Sequence, residues 1–362
     1  MKNIKKIPLK KISIKKTITN NKIDRSQKIL DLKKKINLKV KKVESASLSK
    51  ISKKIDIVIT YVDSTNLEWQ ELFKSYTQEP IENNSTRSIT KNRFRNNDEL
   101  KYCLRSIDKY LNFYRNIYIV MNHSPPTWLK LNHPQIKIIK HEEIPGLNEN
   151  LPTFNSQAIE CNLHKIVDLT DEFLYFNDDI FINAPLGKSF FRDSKVNIFS
   201  TNIPTPKGKP SKNLTGYYNA WINSNRLLDK YYKKQPRGFM DHCPYYIIKK
   251  VAYELENKFK EDYDNTTKSK FRQLNNINPL CSILQYHYYY KNIGRFVKKK
   301  CSYTIFMTNS FNNNMLKLKS LENFNPKIFC IEDNMFEDKP ENIQLIKNFL
   351  NKKFPNKSQF EI

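Results

Sequence analysis

Two adjacent carboxylates interrupt an otherwise apolar run, Phe173-Leu-Tyr-Phe-Asn-Asp-Asp-Ile-Phe-Ile182. Burying an unpaired carboxylate costs several kcal/mol, so Asp178 and Asp179 need compensation. Oxygen ligands at a strand end suit Mg2+ or Mn2+, above all where the ion also holds a diphosphate. The plainer alternative is a strand end capped by backbone donors or arginine, but acidic pairs seldom sit in buried runs. A second cluster, Thr153, Asn155 and Ser156, falls at an expected helix start, where free N–H groups and the helix dipole attract anions. Glu160 and His164 follow one turn apart, spaced for a metal or for a local pair; with no third ligand in view the pair is preferred. His242, in Gly238-Phe-Met-Asp-His-Cys-Pro-Tyr245, follows a Lys/Pro/Gly stretch and is suited to general-base work. Taken alone it is more often an ordinary surface or core histidine. Arg272, Arg93 and Arg95 can hold phosphate oxygens bidentately, although most arginines are solvated or paired.

These residues must be carried by regular elements. Ile55–Val62 reads as a buried strand and Leu67–Tyr76 as a helix. From Asp98, a plausible N-cap, the spacing Leu100, Cys103, Leu104, Ile107, Leu111 is helical. Residues 116–121 and 136–140 are strand-like, 156–168 helical, and 173–182 a strand. Helices are expected at 245–259, 280–291 and 342–354, and strands at 302–308 and 327–332. Strands alternating with helices predict an α/β domain with a mostly parallel central sheet flanked by helices. Prolines and glycines over 203–216 suggest a mobile loop able to close over a substrate.

Six glycines in 362 residues leave no dinucleotide fingerprint and no phosphate-binding P-loop. The net charge of +27 is uneven: residues 1–54 carry 19 basic and 3 acidic residues, a net of +16. That basic tail, expected to be flexible, suits a peripheral contact with anionic membrane, whereas the mild excess elsewhere is a weak argument for nucleic acid. No run approaches 18 apolar residues, so no transmembrane helix is expected. The six scattered cysteines, with no C-x-x-C, fit neither zinc nor a disulfide framework and point to a reducing, cytoplasmic setting.

In order, these segments resemble the Stealth family of sugar-phosphate transferases. The first block is similar to Ile55-Asp-Ile-Val-Ile-Thr-Tyr-Val-Asp63. The second runs from Arg93-Phe-Arg-Asn-Asn-Asp-Glu-Leu100 through Trp128-Leu129 and Leu151–Glu160 to Asn177-Asp-Asp179. The third resembles His242-Cys-Pro244 with Arg272 and Tyr288-Tyr-Tyr290, and the fourth Phe329-Cys-Ile-Glu-Asp-Asn334 with Phe354–Glu361. The chain departs from the family pattern at Ser64 and Asn66, at Asn276 where an acid is common, and at Glu332-Asp333 where Asn-Asp is typical. The resemblance implies a catalytic domain over 55–362: nucleotide sugar and metal in 55–200, a mobile loop region in 201–240, and acceptor and catalytic groups in 241–362. It implies transfer of a hexose 1-phosphate from a UDP-sugar donor to a glycan acceptor hydroxyl, with release of UMP. Asp178, Asp179 and Asp333 would then hold Mg2+ or Mn2+, Arg272 the phosphoryl oxygens, and His242 the proton or the phosphoryl group. Asp63, Arg93, Arg95, Asp98, Asn155, Ser156 and Glu160 would bind substrate. The rivals are a metal-dependent glycosyltransferase releasing UDP and a non-catalytic polyanion-binding protein.

Overall fold

The computed structural model describes residues 54–78 and 87–362. The basic tail, except Lys54, lies outside the described residues. Twelve strands occur among the described residues: β1 (Ile55–Thr60), β2 (Tyr114–Met121), β3 (Ile136–Lys140), β4 (Glu172–Asn177), β5 (Ile180–Ile182) and β6 (Val196–Ile198). They continue with β7 (Ser200–Pro204), β8 (Gly238–Met240), β9 (Tyr245–Ile248), β10 (Gly294–Phe296), β11 (Ser302–Phe306) and β12 (Ile328–Glu332).

The central sheet has the order β3-β2-β1-β4-β9, parallel except for β9. Parallel strands are buried on both faces, so they read as continuous β-branched runs, and Ile55, Ile57, Val58 and Ile59 of β1 are all buried. Asp56, buried among them, is held bidentately by Arg115 Nε and NH2 at 2.9 and 2.6 Å. Because β1 pairs with β2 on one side and β4 on the other, a crevice opens beyond the carboxyl ends of these strands, where open α/β sheets bind ligands. A second sheet, β11-β12-β5, abuts it, with β5 antiparallel to β12.

Asp178 and Asp179 form the turn between β4 and β5. The expected single strand over 173–182 is therefore two strands in two sheets, and the acidic pair marks the switch. The helix Glu99–Tyr110 buries Leu100, Cys103, Leu104 and Ile107, the face its spacing predicts. Helices Leu67–Thr77 and Pro340–Lys353 lie where expected.

Three further expectations fail. The helix over 156–168 ends at Glu160 and gives way to a short 3-10 turn, Leu163–Lys165. The start of the 245–259 helix is instead strand β9, followed by helix Lys249–Lys258, because Tyr246 and Ile247 bury against β4. The region 201–240 is a loop over 205–215, inside the stretch its prolines and glycines mark; the rest holds β7, the helix Gly216–Tyr231 and β8, and Trp221 of that helix is fully buried. Among the described residues no helix is long and apolar enough to cross a membrane. All six cysteines are buried and unbonded.

Candidate active site

At the crevice, β1 runs out into Asp63. Its Oδ1 accepts from the backbone N–H and hydroxyl of Thr65, at 2.9 and 2.7 Å, and its Oδ2 from Asn96 Nδ2 at 2.7 Å. Burial raises its pKa, but these donors and His123 outweigh it and hold the carboxyl below its ordinary value. The Asp63 N–H donates to His123 Nε2 at 3.0 Å, while His123 Nδ1 lies 2.9 Å from the Ser124 carbonyl and donates to it. His123, just past the end of β2, was not anticipated; its place at a strand's carboxyl end was the available signal.

Two guanidiniums form the second part. Arg93 and Arg272 are neighbours, each half-buried, and among the described residues neither is within 4.0 Å of a carboxylate. Burial first, then Arg272, lowers the Arg93 pKa to about 9. Arg272 NH2 donates to Ser156 Oγ at 2.7 Å. A small aromatic core sets both arginines: Trp69, Phe94, Phe154 and Phe271 are buried together, and Phe154 stacks on Phe271 at 5.2 Å. Each of the last three rings is the chain neighbour of a site residue, Arg93, Asn155 or Arg272. Asn276 closes the arrangement, accepting from Asn155 Nδ2 at 2.9 Å and from the Gln273 N–H at 2.8 Å. The amide thus joins two loops where an acid was expected. Gly216 leaves room for the arginine, since a Cβ there would come within 2.6 Å of Arg272 Cβ.

The third part is His242. Its Nδ1 lies 3.3 Å from Glu332 Oε2 and 3.8 Å from Cys330 Sγ, and its ring meets Tyr217 edge-on at 6.2 Å. Nε2 has no protein partner among the described residues. A carboxylate at Nδ1 orients the ring and stabilises an imidazolium, leaving Nε2 for proton transfer. Asp179 senses both His242 and Glu332: burial, opposed by His242 and aided by Glu332, leaves its pKa raised to about 6. Asp179 Oδ1 is a buried oxygen with no hydrogen-bond partner, and Glu332 Oε2, also buried, has only its contact with His242. Asp178 is pushed well up by burial, then by Asp179 and Glu99. Glu160, whose Oε1 accepts from Tyr175 OH at 3.3 Å, is raised by burial to about 7 despite Arg272.

Several expected site residues are used elsewhere. Asp333 is not beside Asp178 and Asp179: its Oδ2 takes Arg95 NH1 at 2.6 Å and its Oδ1 accepts from the Met335 N–H. Arg95 is correspondingly spent on Asp333 and on Asp338 at 2.7 Å. Among the described residues no group of three or more His, Cys, Asp or Glu side chains is placed to hold one metal ion. Asp98 precedes its helix at φ 66° without capping it through its side chain, and pairs with Lys347 at 2.9 Å. Asn155, rather than Ser156, is the cap, accepting from the Gln157 N–H; the helix behind it has five residues and is too short to be an anion site. His164 pairs with Glu256 at 2.8 Å, not with Glu160. Glu332, next to Asp333 at the end of β12, is the carboxylate that faces His242 and Asp179, because adjacent residues there face opposite ways. Glu99, buried beside the acidic turn, carried no sequence signal.

The family models for Stealth protein conserved regions 2, 3 and 4 match residues 93–199, 241–290 and 320–362. Capsular polysaccharide phosphotransferase fcs1 of Haemophilus influenzae is 34% identical over 92% of this chain and 94% of its own length. The chain belongs to the Stealth family. Two further relatives are capsular polysaccharide phosphotransferase SacB of Neisseria meningitidis serogroup A, 35% identical over 85% of this chain, and exopolysaccharide phosphotransferase CpsY of Mycobacterium leprae, 31% identical over 85%. The chain spans 57% of the length of each. The three Stealth regions contain Arg93, Glu160, Asp178 and Asp179; His242 and Arg272; and Glu332. Asp63 lies outside the matched ranges. Among solved structures, the WbbM bifunctional glycosyltransferase aligns over 84% of this chain and 50% of its own, with 13% identity and a TM-score of 0.42, too low to equate the folds.

Proposed function

We propose that the chain transfers a sugar 1-phosphate from a UDP-sugar to a glycan hydroxyl, forming a phosphodiester and releasing UMP, in the synthesis of a capsular or extracellular polysaccharide. The observation that carries this reading is the half-buried Arg93–Arg272 pair, within electrostatic reach of Glu160 and Glu332 and, among the described residues, without a carboxylate ion pair. Two adjacent cations partly withdrawn from water call for an anion, and a diphosphate supplies it.

The acceptor hydroxyl attacks the β-phosphorus, its proton passes to His242 Nε2, and the bond between the β-phosphorus and the bridging oxygen breaks, so UMP departs. Glu332 stabilises the protonated ring through Nδ1. Arg272, braced by Ser156, and Arg93 offset the charge that spreads over the phosphoryl oxygens. Asp63 is held ionised and oriented by Thr65 and Asn96, ready to accept from donor hydroxyls. The unpartnered oxygen of Asp179 and the two-carboxylate turn suit a hard cation that takes few protein ligands and completes its shell with phosphate and water. Asp178 and Asp179, without Asp333, would hold that Mg2+ or Mn2+, which would supply charge neutralisation on the diphosphate. Residues 1–54, with net +16, would bring the protein to anionic membrane.

The test is the nucleotide released when a panel of UDP-sugars is incubated with glycan acceptors. UMP is expected; UDP would replace this reading with glycosyl transfer.

A further inference from the structure

We infer that a pocket at the start of β8, separate from the reacting groups, is a subsite for a sugar ring of the acceptor chain, with lysines at its rim for that chain's anionic groups. The inference rests on the proposed reaction. The cavity, of about 180 Å3, is lined by Ser200, Gln235, Pro236, Tyr286, Tyr289 and Phe296, with Gly238 beneath them. Three rings make its wall: Phe296 lies 4.8 Å from Tyr289 and 5.7 Å from Tyr286.

The wall is set before any ligand arrives. Tyr286 OH donates to the Gly238 carbonyl at 2.7 Å, and Arg237 lies 5.6 Å over the Tyr286 ring. Arg237 is itself fixed by Asp229 and by Tyr290 OH, both at 2.8 Å. Tyr289, by contrast, is 43% exposed, a large ring left to solvent at the mouth. A pyranose presents a flat C–H face to such rings and hydroxyls at its edge; the free amide of Gln235 and the hydroxyl of Ser200 can meet those hydroxyls. No carboxylate lines the cavity, so it is not a cation site.

Charge selects the kind of glycan. Lys233 and Lys234 lead directly into Gln235, and Lys298 and Lys299 come just after Phe296; all four are exposed and make no ion pair among the described residues. An unneutralised basic rim around a sugar-shaped pocket suits a chain carrying phosphodiesters, the linkage the proposed reaction makes. From Gly238 to His242 is no more than about 14 Å of chain. Between them, Phe239 stacks on Tyr217 at 5.8 Å, and Tyr217 meets His242. A glycan seated in the pocket can therefore run along β8 and offer a different sugar to the histidine.

The test measures binding by calorimetry, without donor, of phosphodiester-linked hexosamine oligosaccharides of two and six sugars and of a neutral six-sugar chain. The full chain should prefer the six-sugar phosphodiester. Tyr289→Ala should weaken that binding about tenfold, the loss of one aromatic stack, and Phe296→Ala should act alike. Lys298→Ser with Lys299→Ser should weaken it at low salt only. Turnover on the two-sugar acceptor should stay unchanged in Tyr289→Ala. Equal affinity for the two phosphodiester lengths in the unaltered protein, or unchanged six-sugar affinity in Tyr289→Ala, overturns the subsite. Release of UDP in the transfer assay would unseat the reaction while leaving this binding result to stand or fall separately.

Discussion

Two clusters of charge share the same stretches of chain and meet opposite fates. Arg95, Asp333 and Asp338 neutralise one another at 2.6 and 2.7 Å and tie the loop after β12 to the start of the Glu99–Tyr110 helix. Two residues before Arg95, Arg93 neighbours another guanidinium; one residue before Asp333, Glu332 faces His242 at 3.3 Å. The closed cluster has satisfied its charges and has nothing left to offer a ligand. The open one keeps buried charge that only a bound anion, a proton or a cation can complete, and perturbed buried charges of that kind gather where chemistry is done.

Substitutions that exchange the two clusters' expected behaviour are the sharpest way to break the contrast. In the open cluster, His242→Ala should cut kcat by about 10²–10⁴-fold, the range for removing a general base, with a smaller effect on donor affinity. A rise in donor Kd with kcat preserved would reassign the residue to binding. Asp179→Asn should also depress turnover, by about 10²-fold or more, with folding intact, because an amide cannot offset a cation's charge. Full activity of that variant in excess chelator would remove the ion from the account. In the closed cluster, Arg95→Ala should act on stability: leaving nearly buried Asp333 unpaired costs about 3 kcal/mol, seen as a lower Tm, while turnover per folded molecule stays close to that of the unaltered protein. A variant of normal Tm with lost turnover would place Arg95 with the substrate after all.

Much of the architecture was legible because it is written in local patterns. The β-branched run at 55–60, the helical spacing from Leu100 to Leu111 and the acidic break at Asp178–Asp179 each state their own structure. Legibility stops where partners are distant in sequence. Nothing local distinguishes Arg93 from Arg95, since the second is settled by Asp333 and Asp338, some 240 positions away. Glu332 and Asp333 are likewise told apart only by which side of β12 each takes. Glu160 could not be separated from His164 as a partner until the helix was seen to end there. The Asn276 departure proves to be a neutral clamp between two loops, and the irregular stretch marked by prolines and glycines ends at a well-packed helix instead of running on to residue 240.

The smallest effect concerns pH. Burial raises the Glu99 pKa from 4.5 to about 7, even though Asn97 donors oppose it. An acid raised in the folded state contributes stability that is fully present below about pH 4.5 and is lost as pH climbs through about 7. Wild-type stability should therefore fall across that window, by up to about 1.4 kcal/mol per pH unit from this group. Denaturant melts at pH 5, 6, 7 and 8 should show a shallower decline for Glu99→Gln; parallel curves would mean that Glu99 is ionised at neutral pH and that the crevice is wetter than its burial implies.

The central claim is that the open cluster works on the β-phosphorus and not on the anomeric carbon. A UDP-sugar labelled at the β-phosphorus, incubated with a glycan acceptor and the full chain, decides it. Label recovered in the glycan, with unlabelled UMP in solution, is the predicted result. Label retained in UDP while the glycan gains an unlabelled sugar would contradict it.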